Sequence, residues 1–224
     1  MYEEIIPVNL ENGLTVNAVL GYTDDASPDS VAILFPPHPL LGGDMENNVV
    51  TALFKGFTAR NYMVVRFSYR GVDTGEVNGE HYLAYWDKLE QRQDFTEIIS
   101  DTHEVLTSVI AQINPTARII FVPYSFGTII ALALYDRFLP AKFVGIAPPV
   151  NEYDFSRHLR RHHDVLFVLA QNDPFCSRLL LDKLDAAYTV CDADDHFFRG
   201  YEDVLWNKIT QLVEEQWKTQ SGEK

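Results

Sequence analysis

The sequence predicts an α/β protein built on a doubly wound, mostly parallel sheet that begins with an antiparallel hairpin. Two β-type segments, residues 4–10 and 14–21, flank the pair Asn12-Gly13, which is typical of a hairpin turn. Continuous apolar runs then alternate with amphipathic segments, which is the order of βα units in a parallel sheet covered on both faces. The 224 residues fit one domain, 1–224, with one hydrophobic core.

The predicted parallel strands are six apolar segments, at residues 31–35, 62–67, 119–122, 143–146, 165–170 and 188–191. Between them, apolar residues recur at the i, i+3, i+4, i+7 spacing of helices, most clearly from Phe95 to Ile113 and again from Leu205 to Trp217. No long segment separates residues 146 and 165, so we expect no large lid domain. Ligands of such sheets bind beyond the carboxyl ends of the strands, and site residues are therefore expected in the loops that follow them.

The formal net charge of -14 at pH 7 limits the classes of partner. Nucleic acid and anionic membranes would be repelled, so we expect no nucleic acid and no membrane as partner, but a small-molecule substrate. No basic and apolar leader opens the chain, and only Cys176 and Cys191 are present, so a cytoplasmic protein with free thiols is expected. No zinc-type spacing occurs, and neither a metal nor another cofactor is predicted. The oligomeric state is left open.

The strongest local signal is the sequence IIFVPYSFG at residues 119–127, in which an apolar strand runs into a tight turn and then a helix. This is the context of a nucleophile elbow, where a strained turn lifts a serine, here Ser125, above the edge of the sheet. The usual pattern is G-x-S-x-G, and Pro123 stands in place of the first glycine. The structural alternative is that Ser125 caps the N-terminus of a buried helix.

Two further loops supply the partners that an activated serine needs. Asp173 follows the strand at residues 165–170, and His196 follows the last strand. A serine hydroxyl becomes a strong nucleophile when an imidazole takes its proton, and a carboxylate fixes the tautomer of that imidazole. The chain order serine, acid, histidine is the one that accompanies nucleophile elbows. The sequence therefore predicts a triad of Ser125, Asp173 and His196, with Asp154 as the alternative acid.

Several motifs resemble those of a known family. Residues 38–50, HPLLGGDMENNVV, look like the H-P-x-x-G-G-x-M-x-N-x-V-V signature of small bacterial-type α/β hydrolases that lack a large lid. Residues 66–72, RFSYRGV, are similar to the R-F-N-F-R-G-V of that group, and the likeness continues at 125–127, 147–150 and 195–198. The chain departs from the group at Pro123 and in the residues that follow Val72. The resemblance implies the α/β-hydrolase fold and the triad, and does not specify a substrate.

The resemblance also implies an oxyanion hole. In the family, one donor is the backbone N–H after the nucleophile, and the other lies in the loop after the third strand. In this sequence these groups are the amides of Phe126 and Leu40, because Pro39 has no N–H. His38 is interpreted as a structural residue that holds this loop by hydrogen bonds.

An insert at residues 77–93 carries Tyr82, Tyr85 and Trp86 at helical spacing. One interpretation is a short helix that packs its apolar face on the domain. The other, from which Tyr82, Tyr85 and Trp86 are predicted as substrate-binding residues, is an aromatic wall over the crevice. A basic run at residues 157–163 is either a solvated face or a steering patch for anionic substrates.

The sequence thus predicts a serine hydrolase, carboxylesterase-like, that acts through an acyl-enzyme on small carboxylic ester-type substrates. The alternatives are a thioesterase or small-substrate peptidase, or a non-catalytic ligand-binding protein on the same fold.

Overall fold

The computed structural model describes residues 1–162 and 164–221, with side chains through residue 214. Its strands are β1 (Tyr2–Asn9), β2 (Thr15–Tyr22), β3 (Ser27–Phe35), β4 (Tyr62–Phe67), β5 (Glu76–Val77), β6 (Glu80–His81), β7 (Arg118–Pro123), β8 (Lys142–Ile146), β9 (Val165–Leu169) and β10 (Ala187–Val190). Its helices are α1 (Asn48–Ala59), α2 (Tyr82–Arg92), α3 (Thr96–Ile113), α4 (Gly127–Phe138), α5 (Ser156–Leu159), α6 (Arg178–Lys183) and α7 (Glu202–Ser221), with a 3₁₀ helix at Pro39–Leu41.

Within these residues, eight strands form one sheet in the order β1-β2-β4-β3-β7-β8-β9-β10. β1 pairs with β2, and β2 with β4, in antiparallel fashion, while the pairs from β4 to β10 are parallel. The predicted fold class is confirmed, including the N-terminal hairpin. The carboxyl ends of β3, β7, β8 and β9 consequently meet at one edge of the sheet, which is where the site residues were expected.

Helices cover both faces of the sheet. Alternate residues of a strand point to opposite faces, so Ile33 and Phe35 belong to one core cluster while Ala32 and Leu34 belong to the other. The first cluster contains side chains of α3 and α4, and the second contains side chains of α1 and α7. In the face predicted to end at Trp217, Leu205, Ile209 and Val213 are buried and Leu212 is partly buried, while the side chain of Trp217 lies outside the described residues.

In its described residues, the connection from β8 to β9 contains the one-turn helix α5 and no large lid, as expected. None of the described helices has both the length and the apolar character needed to cross a bilayer. Cys176 and Cys191 are buried and not joined to each other.

The insert begins with a small hairpin that the sequence interpretation missed. β5 and β6 pair antiparallel around Asn78-Gly79, whose φ angles of 51° and 78° are both positive. Two positive φ angles are the requirement of a type I′ turn, and Asn-Gly is its usual sequence. The signal was therefore present in the chain, but strands of two residues are too short to show an alternating pattern.

Candidate active site

The loop between β7 and α4 has the geometry of a nucleophile elbow. Ser125 has a φ of 52°, in the left-handed region that a non-glycine residue occupies at a cost. Its N–H donates to the Ile146 carbonyl at 2.8 Å, which holds the turn against the end of β8. Gly127 permits the close approach, because a Cβ at that position would lie 2.7 Å from the Phe35 carbonyl oxygen. Pro123 is the last residue of β7 and leaves both of these contacts intact.

The structure brings Ser125, His196 and Asp173 into one line of hydrogen bonds. His196 Nε2 lies 2.8 Å from Ser125 Oγ, and His196 Nδ1 lies 2.8 Å from Asp173 Oδ2. A carboxylate only accepts, so Nδ1 carries the proton and Nε2 is left to accept from the serine hydroxyl. The side chains of His196 and Asp173 are 3% and 2% exposed, which shields both hydrogen bonds from water.

Backbone and side-chain hydrogen bonds tie together the loops that carry these groups. The Tyr124 hydroxyl, next to the serine, donates to the His196 carbonyl at 2.9 Å. The Asn172 N–H, next to the acid, donates to the Asp194 carbonyl at 2.9 Å. The three side chains are therefore positioned by contacts that do not depend on a substrate.

The alternative acid has a different role. Asp154 Oδ1 accepts the N–H of Ser156 at the start of α5, and hydrogen bonding with the side chain and then the backbone of Ser156 lowers the pKa of Asp154. Of the other acids near the histidine, Asp195 accepts the Phe197 N–H, and Asp194 accepts the Tyr201 hydroxyl. Asp173 is the carboxylate that contacts the imidazole.

The two predicted oxyanion donors differ in their surroundings. The amides on either side of Phe126 donate to backbone carbonyls, whereas the Phe126 N–H has no backbone acceptor in the described part of the chain. The Leu40 N–H instead donates to His38 Nδ1 at 3.1 Å, because His38 caps the 3₁₀ helix. Leu40 was predicted as an oxyanion donor, and because its amide already donates to His38 it could serve an oxyanion only as a shared donor.

His38 holds the loop by a hydrogen bond, as interpreted from the sequence, and also lines the cavity in front of Ser125. Its ring packs edge to face against Phe126, with the ring centres 4.6 Å apart, and against Trp86. Burial lowers the pKa of His38 to about 4, although the Glu90 carboxylate lies 3.2 Å from Nε2. The imidazole is therefore neutral at pH 7.

This buried histidine makes stability depend on pH. An unfolded chain protonates His38 near pH 6.5, whereas the folded protein resists protonation down to about pH 4. The unfolded state therefore binds more protons in this window, and the free energy of unfolding falls by roughly 3 kcal/mol as the pH falls through it. His38→Asn keeps a capping oxygen and does not titrate. Between pH 6.5 and 4 we therefore expect the free energy of unfolding of this variant, measured in urea, to fall by roughly 3 kcal/mol less than that of the wild type. An identical loss in both proteins would contradict this.

A cavity of about 220 Å³ opens directly in front of Ser125 and His196. Its apolar lining comes from Leu40, Leu41, Phe126, Pro149 and Phe175. The ring of Phe175 lies 4.8 Å from that of His196, centre to centre, so this side chain borders the reacting groups.

The three aromatic residues predicted to bind substrate do not line this cavity. Trp86 is 0% exposed, and its indole N–H donates to the Arg70 carbonyl at 3.1 Å. Tyr85 lies beside the Arg70 guanidinium, at 3.1 Å, and Tyr82 packs against the core. This corrects the prediction for Tyr82, Tyr85 and Trp86: the apolar face of α2 packs on the domain, which is the other interpretation of the insert.

The insert reaches the cavity through Glu90. Sequence reasoning missed this residue and also three lining residues outside the insert, Glu152, Tyr153 and Phe175. Glu90 lies four residues after Trp86, at the polar edge of the buried face of α2, and that spacing was the available signal. Phe175 follows Asp173 by two residues, so its closeness to the acid was also visible in the chain.

The basic run lies elsewhere on the surface. Arg157 and His158 border a separate groove beside α3 and α4, and His163 is outside the described residues. The charged side chains that line the cavity, in the part of the chain described, are the acidic Glu90 and Glu152.

Comparison with known proteins gives relatives of the same architecture. No protein-family model matches the chain. An uncharacterized protein of Rickettsia prowazekii is 28% identical over 195 residues, which are 80% of this chain and 76% of that protein. A crystal structure of a protein of unknown function from Agrobacterium tumefaciens, provisionally classed as an α/β hydrolase, matches with a TM-score of 0.77 and 24% identity, over 99% of this chain and 100% of that one.

An α/β serine hydrolase without a lid from Xanthomonas campestris matches with a TM-score of 0.75 and 23% identity, over 97% of this chain and 95% of that one. The chain has the α/β-hydrolase fold. At these identities the likeness establishes the fold, while function depends on the groups at the site.

Proposed function

We propose that this protein is a serine hydrolase that cleaves small carboxylic esters through an acyl-enzyme. The observation that carries the proposal is the line from Asp173 through His196 to Ser125, with both contacts at 2.8 Å and the serine on a strained turn. A serine with positive φ that only capped a helix would have no need of a buried imidazole and carboxylate. The lidless serine hydrolase of similar structure supports the same proposal.

The reaction follows from the geometry in two halves. Ser125 Oγ attacks the ester carbonyl while His196 Nε2 takes the hydroxyl proton, and Asp173 stabilises the imidazolium that forms. The Phe126 N–H supports the negative charge that develops on the carbonyl oxygen. The C–O bond to the alcohol then breaks, and His196 returns its proton to the departing oxygen. A water molecule repeats these steps on the acyl-enzyme, which releases the acid and restores Ser125.

The small cavity predicts a preference for short acyl groups. Its volume of about 220 Å³ is below the roughly 300–1,000 Å³ of typical ligand pockets. Methylene groups that fit inside gain about 0.8 kcal/mol each, and those that extend into water gain nothing. In a series of p-nitrophenyl esters, we expect kcat/KM to be highest for about two to six carbons and to fall beyond. A steady rise toward long chains would contradict this.

The acyl-enzyme itself is tested by rapid mixing of enzyme with p-nitrophenyl butanoate. We expect a burst of p-nitrophenol equal to the enzyme concentration, or, if deacylation is fast, transfer of the acyl group to added hydroxylamine. The same assay with a butanoyl thioester and a butanoyl anilide compares the three classes of carbonyl substrate. Absence of turnover with all three would leave the binding-protein alternative.

A further inference from the structure

One side of the cavity, here called the polar wall, consists of His38, Glu90, Glu152 and Tyr153. These residues come from three separate segments: the loop after β3, helix α2 and the loop after β8. The catalytic mechanism uses none of them. The wall therefore borders the cavity without a part in the proposed chemistry.

Glu90 is held in a fixed position on this wall. The Tyr153 hydroxyl donates to Glu90 Oε2 at 3.0 Å, and the Gln93 side-chain amide donates to Oε1 at 2.9 Å. Burial and the Glu90 carboxylate together raise the pKa of Tyr153, so its hydroxyl remains a donor. The carboxylate is thus oriented by two donors and keeps acceptor capacity beyond them.

His38 adds a donor that has no acceptor. Because the Leu40 N–H can only donate, His38 Nδ1 accepts and the proton of the neutral ring is on Nε2. His38 is 4% exposed, and Nε2 makes no hydrogen bond in the described part of the chain. Glu90 Oε2 is 3.2 Å away, but the pair lacks hydrogen-bond geometry. A buried donor without an acceptor is costly and marks a place where a ligand atom would be stabilised.

The pairing of this donor with a carboxylate selects among ligand groups. An anion would accept from His38 but would be repelled by Glu90 and Glu152. A cation would be attracted by the carboxylates but would leave the His38 donor unpaired. A hydroxyl both accepts and donates, so it satisfies His38 Nε2 and Glu90 Oε2 at once.

We propose that the polar wall binds a hydroxyl group of the substrate, so that the preferred substrates are hydroxylated short-chain esters. This inference rests on the proposed function, since it names the substrate class of the same site. The hydroxyl can lie on the alcohol or on the acyl part of the ester, and the two arms of the test distinguish these.

The first arm keeps the acyl group constant and compares propyl butanoate, 2,3-dihydroxypropyl butanoate and butanoylcholine, with acid release followed by titration. The second arm compares p-nitrophenyl butanoate with p-nitrophenyl 3-hydroxybutanoate. In at least one arm, we expect kcat/KM for the hydroxylated ester to be about 10–100-fold higher than for the ester without the hydroxyl, namely propyl butanoate or p-nitrophenyl butanoate. A site built to pair a hydroxyl discriminates against its absence.

The variant Glu90→Gln removes the charge and keeps the size, and we expect it to lower that preference about tenfold. Tyr153→Phe removes the hydroxyl that orients Glu90 and should also lower the preference for the hydroxylated ester. Asp87→Asn is the matched control, since Asp87 is an exposed acid on the same helix and is not part of the cavity lining. It should keep the wild-type preference.

A wild-type preference below about twofold in both arms overturns the inference, whether or not the variants fold. A preference for butanoylcholine over the dihydroxypropyl ester overturns it as well, because the wall would then recognise charge. Reaction of Ser125 with a fluorophosphonate distinguishes failure of this inference from failure of the proposed function. If Ser125 reacts while no hydroxyl preference appears, only this inference fails, and if it does not react and no ester is hydrolysed, the proposed function fails.

Discussion

Ser125→Ala is expected to lower kcat for p-nitrophenyl butanoate by about 10⁴–10⁶-fold while the protein folds normally. The substitution removes the atom that forms the acyl-enzyme and that contacts His196 Nε2. The fold should be preserved because the backbone hydrogen bond from residue 125 to the Ile146 carbonyl does not involve the side chain. We expect the free energy of unfolding in urea to change by less than about 1 kcal/mol.

Ser68→Ala is a matched control for this variant. Like Ser125, Ser68 is buried and lies just past the end of a sheet strand. It is not part of the cavity lining. Its hydroxyl oxygen accepts the Met45 N–H, so its loss affects stability and not chemistry. Retention of more than a tenth of wild-type activity in Ser125→Ala would show that another group is the nucleophile.

Asp173→Asn is expected to lower kcat by about 10³–10⁴-fold. Asp173 Oδ2 accepts from His196 Nδ1 at 2.8 Å, while Oδ1 accepts the Phe175 N–H at 2.9 Å. An asparagine has one acceptor oxygen and cannot serve both donors. It either gives up the loop contact or presents its amide N–H₂ to the histidine, which favours the wrong tautomer and provides no charge to stabilise the imidazolium.

Asp154→Asn is the comparison that separates the two candidate acids. Asparagine keeps an oxygen for the Ser156 N–H, so we expect kcat within about threefold of wild type. Both variants are measured with the same short-chain ester over a range of pH. The reverse ranking, with Asp154→Asn the more damaged, would move the acid of the triad to Asp154.

Much of the fold was predictable because the sequences of buried parallel strands are continuous apolar runs. The predicted segment 62–67 coincides with β4, and the segments at 119–122, 143–146 and 165–170 each differ from the observed strand by one residue at one or both ends. β3 begins four residues earlier than predicted, at Ser27, because its first three residues are exposed and do not belong to the apolar run, and its register shifts between Ser27 and Val31.

The three residues of the predicted triad could be proposed from the chain because each follows a strand, and the strand ends share one edge of the sheet. The residues that surround the triad could not be predicted in this way. Helical spacing defined the face that contains Trp86, but the surface it packs against includes the Arg70 carbonyl, 16 residues away, which accepts the indole N–H. The hydrogen bond from the Leu40 amide to His38 depends likewise on the orientation of the His38 ring, which no sequence pattern encodes.

The central claim is that Ser125 is an activated nucleophile, and its most direct test is covalent labelling of the purified protein with a fluorophosphonate. We expect one molecule of reagent per chain, with the modified peptide mapped by mass spectrometry to Ser125. Labelling should be abolished in Ser125→Ala, retained in Ser68→Ala and strongly slowed in Asp173→Asn. A protein that folds normally but takes up no reagent, or takes it up at another residue, would contradict the claim.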